Sequence, residues 1–258
     1  MADTEARPDP VRVGIRNLEK RFSEDVVALQ NINLDVREGE FVSLVGPSGC
    51  GKSTLLRLVA ELDQPTSGTV QRPGVAETPG SIGFVFQDAH LLPWRSVRRN
   101  VELLLELQDV AADERRKRAT EALARVGLDG FEDAYPRQLS GGMKMRVSLA
   151  RTLVLDPQVF LLDEPFGALD EITREKLNDD LLRLAGASRL TTLFVTHSVT
   201  EAVYLSDRVV VISARPGQIV DEISVPFDER QRSLRSAPEF ISICAAVTDT
   251  LYRGMAEQ

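Results

Sequence analysis

The sequence is poor in cysteine, histidine and tryptophan, and it contains no long hydrophobic run. Among 258 residues there are two cysteines, two histidines and one tryptophan. With no CxxC pair and no His/Cys cluster, a structural zinc site is not expected, and so few cysteines fit a reducing compartment. No apolar run approaches the roughly 18–20 residues that span a bilayer. The polar N-terminus, MADTEARPDP, lacks a signal-peptide pattern. We therefore expect a protein that is neither secreted nor membrane-spanning by itself.

The chain also lacks an excess of positive charge. Its 31 Lys and Arg residues are outnumbered by 39 Asp and Glu, which gives a formal net charge of −8. Because nucleic-acid phosphates are bound by basic surfaces, this balance argues against a nucleic-acid partner. The hydrophobic fraction of 43% and the charged fraction of 27% are typical of a folded globular protein. The length suits one large domain, or a domain with an inserted lobe.

The hydrophobic pattern predicts an α/β fold. Residues 11–22 and 26–36 alternate apolar and polar side chains, which predicts half-buried antiparallel strands. Further along, short apolar runs alternate with helical periodicity, which favours a largely parallel sheet. The stretch 88–155 is mostly helical in pattern and is expected to form an inserted lobe. The apolar runs predicted as later strands are 41–46, 81–87, 159–165, 191–197, 208–213 and 218–225.

Helix signals are clearest in the inserted lobe and at the C-terminus. Helices are predicted over 96–107 and 112–126, with Ser96 and Asp113 as their N-caps. A last helix is predicted over 238–252. Other segments with helical spacing are predicted over 52–62, 141–155, 171–185 and 198–206.

The segment GPSGCGKST, residues 46–54, predicts a phosphate-binding loop. It follows an apolar strand, precedes a helix and matches GxxxxGK[ST]. Its glycines allow backbone N–H groups to surround an anion, at the positive end of a helix dipole. Lys52 is expected to reach the β- and γ-phosphates of ATP, and Ser53 to ligate Mg²⁺. Cys50 is interpreted as a small residue tolerated in the loop. The residues expected to contact nucleotide are Gly46, Pro47, Ser48, Gly49, Cys50, Gly51, Lys52, Ser53 and Thr54.

An acid pair follows a second apolar run, VFLLDEP. In open α/β sheets, ligands bind at the carboxyl ends of the strands. There, Asp163 would hold Mg²⁺ through water, and Glu164 would polarise an attacking water as general base. The alternative is that the two acids only cap the following helix.

Together these motifs resemble the ATP-binding subunits of ABC transporters. The segment 139–143, LSGGM, resembles the signature loop of that family, and ALD at 168–170 resembles its D-loop. Gln87 is similar to the Q-loop glutamine, which also contacts the metal, and His197 to the switch histidine. Phe22 occupies the position of an aromatic residue that stacks on adenine.

The resemblance implies a P-loop, RecA-like ATPase core with an N-terminal antiparallel β subdomain and an inserted α-helical subdomain. It implies a homodimer that closes head to tail around two ATP molecules. Ser140, Gly141 and Gly142 would then grip the γ-phosphate bound to the other subunit. Glu164, His197, Gln87 and Lys52 would be the catalytic residues. The expected domain is 11–225, preceded by a disordered tail at 1–10 and followed by a helical extension at 226–258.

Residues 85–101, VFQDAHLLPWRSVRRNV, and the methionine after LSGG are similar to the nitrate/sulfonate/taurine importer branch. That resemblance implies a separate membrane permease, contacted through the region 87–99, and an external solute-binding protein. The subunit would then sit peripherally at the cytoplasmic face of the membrane. Trp94 is interpreted either as a lobe-packing residue or as a partner contact. Three arginines nearby form either a solvated face or a contact with acidic residues or lipid headgroups: Arg95, Arg98 and Arg99.

Two methionines depart from the family pattern. Met143 and Met145 stand where glutamines are common, and methionine donates no conventional hydrogen bond. Contacts from glutamine to ribose or to a neighbouring loop are therefore not expected here. Two other functions stay open from sequence: an ABC ATPase outside import, such as a lipid, repair or assembly factor, and a scaffold or mechanical transmitter that binds ATP but moves no solute.

Overall fold

A computed structural model describes residues 9–256 of the chain. Strands and helices alternate over 159–212, as predicted, whereas the N-terminal part opens with three strands and residues 97–153 contain three successive α-helices. The strands are β1 Val11–Ser23, β2 Val26–Arg37, β3 Phe41–Val45, β4 Ser67–Gln71, β5 Ile82–Val85, β6 Val159–Asp163, β7 Thr191–Val195, β8 Arg208–Ile212 and β9 Ile219–Ser224. The α-helices are α1 Lys52–Val59, α2 Val97–Glu106, α3 Ala112–Arg125, α4 Gly141–Leu153, α5 Glu171–Ser188, α6 Val199–Leu205 and α7 Pro238–Ala256.

Six strands form the central sheet, in the order β5-β6-β7-β3-β8-β9. All neighbouring pairs are parallel except β8 with β9, so the prediction of a largely parallel sheet is confirmed. Every residue of β3, β6 and β7 is buried, because other elements cover both faces of a parallel sheet. The carboxyl ends of these three adjacent strands lie at one edge of the sheet. The phosphate loop, the acid pair and His197 follow them directly.

The alternation of side chains along β6 divides the interior into two cores. Phe160 and Leu162 belong to one core, together with residues of α2, α4, α5 and α7. Leu161 points to the other face and belongs to a core shared with α1 and the N-terminal strands. A continuous apolar strand is therefore needed here, since both of its faces are covered.

The N-terminal strands form a separate three-stranded sheet in the order β2-β1-β4. β1 pairs antiparallel with both neighbours, which confirms the antiparallel interpretation of 11–22 and 26–36. One face of this sheet covers α1, so the alternating apolar residues point inward, Ile15 and Leu29 among them.

Helices α2, α3 and α4 pack against one another in the predicted lobe. The Ser96 hydroxyl accepts a hydrogen bond from the backbone N–H of Arg99, so its prediction as an N-cap is confirmed. The prediction for Asp113 is wrong, because the N-cap of α3 is Ala111 and has no side-chain cap. Asp113 lies in the first turn instead, where a carboxylate interacts favourably with the helix dipole.

Several boundaries differ from the sequence-based prediction. β6 ends at Asp163 rather than at 165, because Glu164 has φ of 46° and turns the chain out of the strand. The last helix, α7, continues past 252 to Ala256. Of the expected tail at 1–10, only Asp9 and Pro10 lie within the described residues. Among residues 9–256, no helix is long and apolar enough to cross a bilayer.

Candidate functional site

Two glycines of the loop between β3 and α1 have no space for a side chain. Gly51 has φ of 108° and is the N-cap of α1. A Cβ at that position would lie 2.6 Å from Cδ2 of Leu29, and one at Gly46 would lie 2.6 Å from the carbonyl oxygen of Ile212. Both distances are shorter than a contact between non-bonded atoms. The bare loop therefore lies directly at the amino end of α1, an arrangement that favours anions.

Lys52 places a positive charge inside this loop. The residue is only 5% exposed, and its Nζ donates hydrogen bonds to the carbonyl oxygens of Gly46 at 2.8 Å and Pro47 at 2.9 Å. Cys50 lies beside it, with Sγ 3.8 Å from Nζ. Burial raises the pKa of the Cys50 thiol, so the thiol stays protonated at neutral pH.

Ser53 and Asp163 meet across the gap between α1 and β6. The Ser53 hydroxyl donates a hydrogen bond to Oδ1 of Asp163 at 2.7 Å. Burial raises the pKa of the Asp163 carboxyl, against the lowering effect of that hydrogen bond. Within residues 9–256 no cluster of three or more His, Cys, Asp or Glu side chains is placed to hold a metal. A hydroxyl beside one carboxylate nevertheless suits Mg²⁺, which takes few protein ligands and completes its shell with water and phosphate oxygens.

Glu164 and His197 face each other at the ends of β6 and β7. Nδ1 of His197 lies 3.2 Å from Oε2 of Glu164, and the backbone N–H of Glu164 donates to the Val195 carbonyl at 3.0 Å. The left-handed backbone of Glu164 (φ of 46°) is uncommon for a residue with a side chain. This turn of the backbone takes Glu164 out of the strand that contains Asp163, so the two neighbouring acids occupy different surroundings. Asp163 is buried, and the Glu164 side chain is 22% exposed.

The loop at the start of α4 has a serine cap and closely packed glycines. The Ser140 hydroxyl accepts a hydrogen bond from the backbone N–H of Met143 at 3.3 Å. A Cβ at Gly142 would lie 2.7 Å from Cγ2 of Thr173, and one at Gly141 would lie 3.2 Å from Cδ2 of Leu169. Bare backbone is therefore required here for packing against the residues of the 168–170 loop and α5, in addition to any contact with a ligand.

The two methionines of this segment face inward. Met145 is 5% exposed and belongs to the core between the sheet and the helical lobe, and Met143 packs against the same core. This accounts for an apolar residue at 145, which the sequence pattern left unexplained.

Other predicted residues stand apart from this cluster. Phe22 is 59% exposed, and Nζ of Lys20 lies 5.2 Å from the centre of its ring. Gln87, Ser48 and Ser140 are exposed as well. Among residues 9–256, no hydrogen bond joins the Gln87 side chain to the phosphate loop or to the acid pair. The chain thus assembles the phosphate loop, the acid pair and His197 by itself, but leaves the 140–142 loop outside that cluster.

Sequence reasoning missed a buried acid behind His197. Glu201 is 6% exposed, and its side chain accepts a hydrogen bond from the Thr196 hydroxyl. The available signal was Ser198 followed three residues later by Glu201, which matches a capping box. Ser198 does accept from the Glu201 backbone N–H at 3.3 Å, yet the carboxylate turns to Thr196 instead.

Comparisons with known proteins agree with this geometry. The model of the ABC transporter family matches residues 29–167. The nitrate import ATP-binding protein of Synechocystis sp. is 48% identical over 235 residues, 88% of each chain. An aliphatic sulfonates import ATP-binding protein of Bacillus cereus is 44% identical over 228 residues, 86% of this chain and 90% of that protein. A solved dimeric ATP-binding cassette, bound to ADP and Pi after hydrolysis, has a TM-score of 0.73 and 36% identity over 83% of this chain and 99% of its own. The resemblance inferred from sequence is confirmed: this chain is an ATP-hydrolysing member of the ABC transporter family.

Proposed function

We propose that this chain is the ATPase subunit of an importer, dimerising around two MgATP and driving a small anion through a separate membrane permease. The observation that carries the proposal is the convergence at one sheet edge of Lys52, the Ser53–Asp163 pair and the Glu164–His197 pair. Adjacent strands β3, β6 and β7 bring these groups together. They supply what phosphoryl transfer to water requires: a cationic cradle, a metal position and a base.

The phosphate loop binds the β- and γ-phosphates of ATP. The Lys52 ammonium, now held by two loop carbonyls, exchanges those acceptors for phosphate oxygens when the nucleotide enters. Ser53, Asp163 and Gln87 would hold Mg²⁺, which would supply positive charge beside the phosphate oxygens.

Glu164 acts as general base. A water oxygen attacks the γ-phosphorus, the bond from that phosphorus to the oxygen of ADP breaks, and Glu164 takes a proton from the water. In the tautomer that carries a proton on Nδ1, His197 donates to Oε2 of Glu164, 3.2 Å away, and Oε1 is then the atom that receives the proton. The histidine thereby orients the carboxylate, and its resemblance to the switch histidine implies a further contact with the γ-phosphate.

The loop Ser140–Gly142 completes the site of a second subunit. It caps the amino end of α4, where backbone N–H groups and a hydroxyl suit a phosphate. Ser140 and Gly141 are exposed and are not joined to the phosphate loop of their own chain. The solved relative bound to ADP and Pi is itself a dimer, which supports binding across an interface.

The region 87–99 is proposed as the docking surface for the permease. Trp94 is 72% exposed and borders an open groove of about 490 Å³ that Tyr135 also lines. An exposed tryptophan of this kind is typical of a protein contact. The three arginines of the region are already paired within the chain: Arg95 with Glu106, Arg98 with Asp133 and Arg99 with Glu102. Their pairing favours a protein helix as the partner over lipid headgroups.

The proposed solute class comes from the relatives. The two import proteins described above are named for nitrate and for aliphatic sulfonates, and both solutes are small oxyanions. The chain would serve such a solute through the permease and an external binding protein, at the cytoplasmic face of the membrane.

The test combines turnover with partner capture. Glu164→Gln should retain ATP binding while lowering kcat by at least about 100-fold, because it removes the base. Wild-type kcat in this variant would overturn the base assignment. From detergent-solubilised membranes of the source cell, the full chain should co-purify with a polytopic membrane protein, and Trp94→Ala should recover less of it. Recovery of soluble partners only would favour a repair, assembly or scaffold ATPase instead.

A further inference from the structure

Glu201 is a buried carboxylate that the proposed chemistry does not use. It lies in α6, four residues after His197, and is 6% exposed. Burial raises its pKa, while the hydrogen bond from Thr196 and the charge of Arg174 act in the opposite direction. Burying an ionisable group is unfavourable unless partners compensate for the lost water. Its partners therefore show what the group does.

On one side, Glu201 holds the turn that contains His197. The Thr196 hydroxyl donates to Oε2 of Glu201 and accepts a hydrogen bond from the backbone N–H of Ser198 at 3.0 Å. The hydroxyl proton therefore points at Glu201, which leaves a lone pair of the Thr196 oxygen for the Ser198 N–H. The residues before and after His197 are thus tied to each other, and Thr196 itself is only 2% exposed.

On the other side, Glu201 lies near α5, where the charge of Arg174 and a hydrogen bond with Asn178 both act to lower the pKa of its carboxyl. Nε of Arg174 and Oε1 of Glu201 are both buried and have no hydrogen-bond partner within the described residues. Another guanidinium nitrogen of Arg174 donates to the Leu169 carbonyl at 3.0 Å. Arg174 therefore ties α5 to the 168–170 loop.

That loop lies directly under the signature glycines. Cδ2 of Leu169 would be 3.2 Å from a Cβ on Gly141, and Cγ2 of Thr173 would be 2.7 Å from a Cβ on Gly142. Helix α5 therefore lies between the two regions: it packs against α6, which carries Glu201, and its Thr173 lies under Gly142 at the start of α4.

We propose that Glu201 is a positioning residue that holds the His197 turn and the signature loop of the same subunit in a fixed relation. This inference rests on the proposed function, in which His197 serves the subunit's own ATP and the signature loop serves the ATP of the partner subunit. Glu201 contacts neither nucleotide. It keeps the two half-sites of one chain in register, so that both are placed correctly when the dimer closes.

Isosteric variants of the full chain test the inference. Thr196→Val removes the hydroxyl link and Glu201→Gln removes the charge that interacts with Arg174. Each should lower kcat for MgATP between about 10- and 100-fold, because small displacements of reacting groups carry penalties of that size. KM should change by less than about threefold, since the phosphate loop is untouched. Thr196→Ser restores a hydroxyl and should return kcat to near the wild-type value.

A matched control separates positioning from stability. Glu40 forms an ion pair with Arg208 at 2.9 Å, with both side chains largely covered, at the end of β3 away from the phosphate loop. Glu40→Gln should lower the melting temperature without lowering kcat. Wild-type kcat in either Thr196→Val or Glu201→Gln, failure of Thr196→Ser to restore kcat, or an equal loss in Glu40→Gln would overturn the inference. If Glu164→Gln were inactive and Thr196→Val fully active, only the positioning inference would be rejected. If Glu164→Gln were active, the proposed chemistry itself would be rejected.

Discussion

Replacing Met145 by glutamine should destabilise the protein without weakening nucleotide binding. At a surface position this change would be harmless. In this structure, however, the Met145 side chain is 5% exposed and lies in the core between the sheet and the helical lobe. The glutamine amide would lose water there without a designed partner.

Two contributions set the magnitude. An unpaired buried amide costs about 1–3 kcal/mol, and losing part of the burial of a methionine side chain adds about 1 kcal/mol. Together they predict a loss of roughly 3 kcal/mol of unfolding free energy, within a factor of two. For a domain of this size, that loss corresponds to a fall in melting temperature of roughly 6–12 °C. Met145→Leu conserves shape and apolarity and should cost under about 1.5 kcal/mol.

Thermal unfolding monitored by circular dichroism checks this prediction, with ATP binding measured by a fluorescent analogue below the melting temperature. We expect Met145→Gln to melt well below both the wild type and Met145→Leu, while all three bind the analogue with equal affinity. If Met145→Gln melted within about 2 °C of the wild type, the side chain would not be in the core, and the reasoning from burial would be wrong.

Two further predictions concern the acid pair and the dimer. Asp163→Asn should raise the melting temperature of the nucleotide-free, metal-free protein at pH 7.5. Burial raises the pKa of Asp163 in the folded state, so ionising this carboxyl destabilises the folded protein. The unfolding free energy of the wild type therefore falls as pH rises above the ordinary carboxyl pKa, and asparagine removes that loss. The gain should shrink as pH falls toward that ordinary value, and stabilisation by MgATP should be weaker in the variant; an Asp163→Asn protein that melts lower throughout would contradict this. Ser140→Arg in a Glu164→Gln background should bind ATP as a monomer but not dimerise, as size-exclusion chromatography would show, and ATP-dependent dimers of that variant would contradict the trans assignment.

Local sequence was enough to predict the parts of the site that depend on neighbouring residues in the chain. The segment 46–54 joins a strand to a helix, and 159–163 is an apolar strand that ends in acids, so their pattern predicts both elements and the ligand-binding edge. Ser96 was identified as a cap for the same reason. The prediction of Asp113 as an N-cap was wrong, because competing local contacts can move the start of a helix by one or two residues.

Residue patterns alone predicted the fold class, the phosphate loop, the acid pair and the family, because each of those features is formed by residues that lie close together in the sequence. Tertiary packing decided the rest: that Met145 turns inward, that Arg95, Arg98 and Arg99 are paired, and that Glu201 is buried behind His197. The physical reason is that a helix face or a charge acquires its role from whatever packs against it. Asp133, the partner of Arg98, is 35 residues away in the sequence, and even a near neighbour such as Glu102 beside Arg99 becomes a buried partner only when the lobe packs around it.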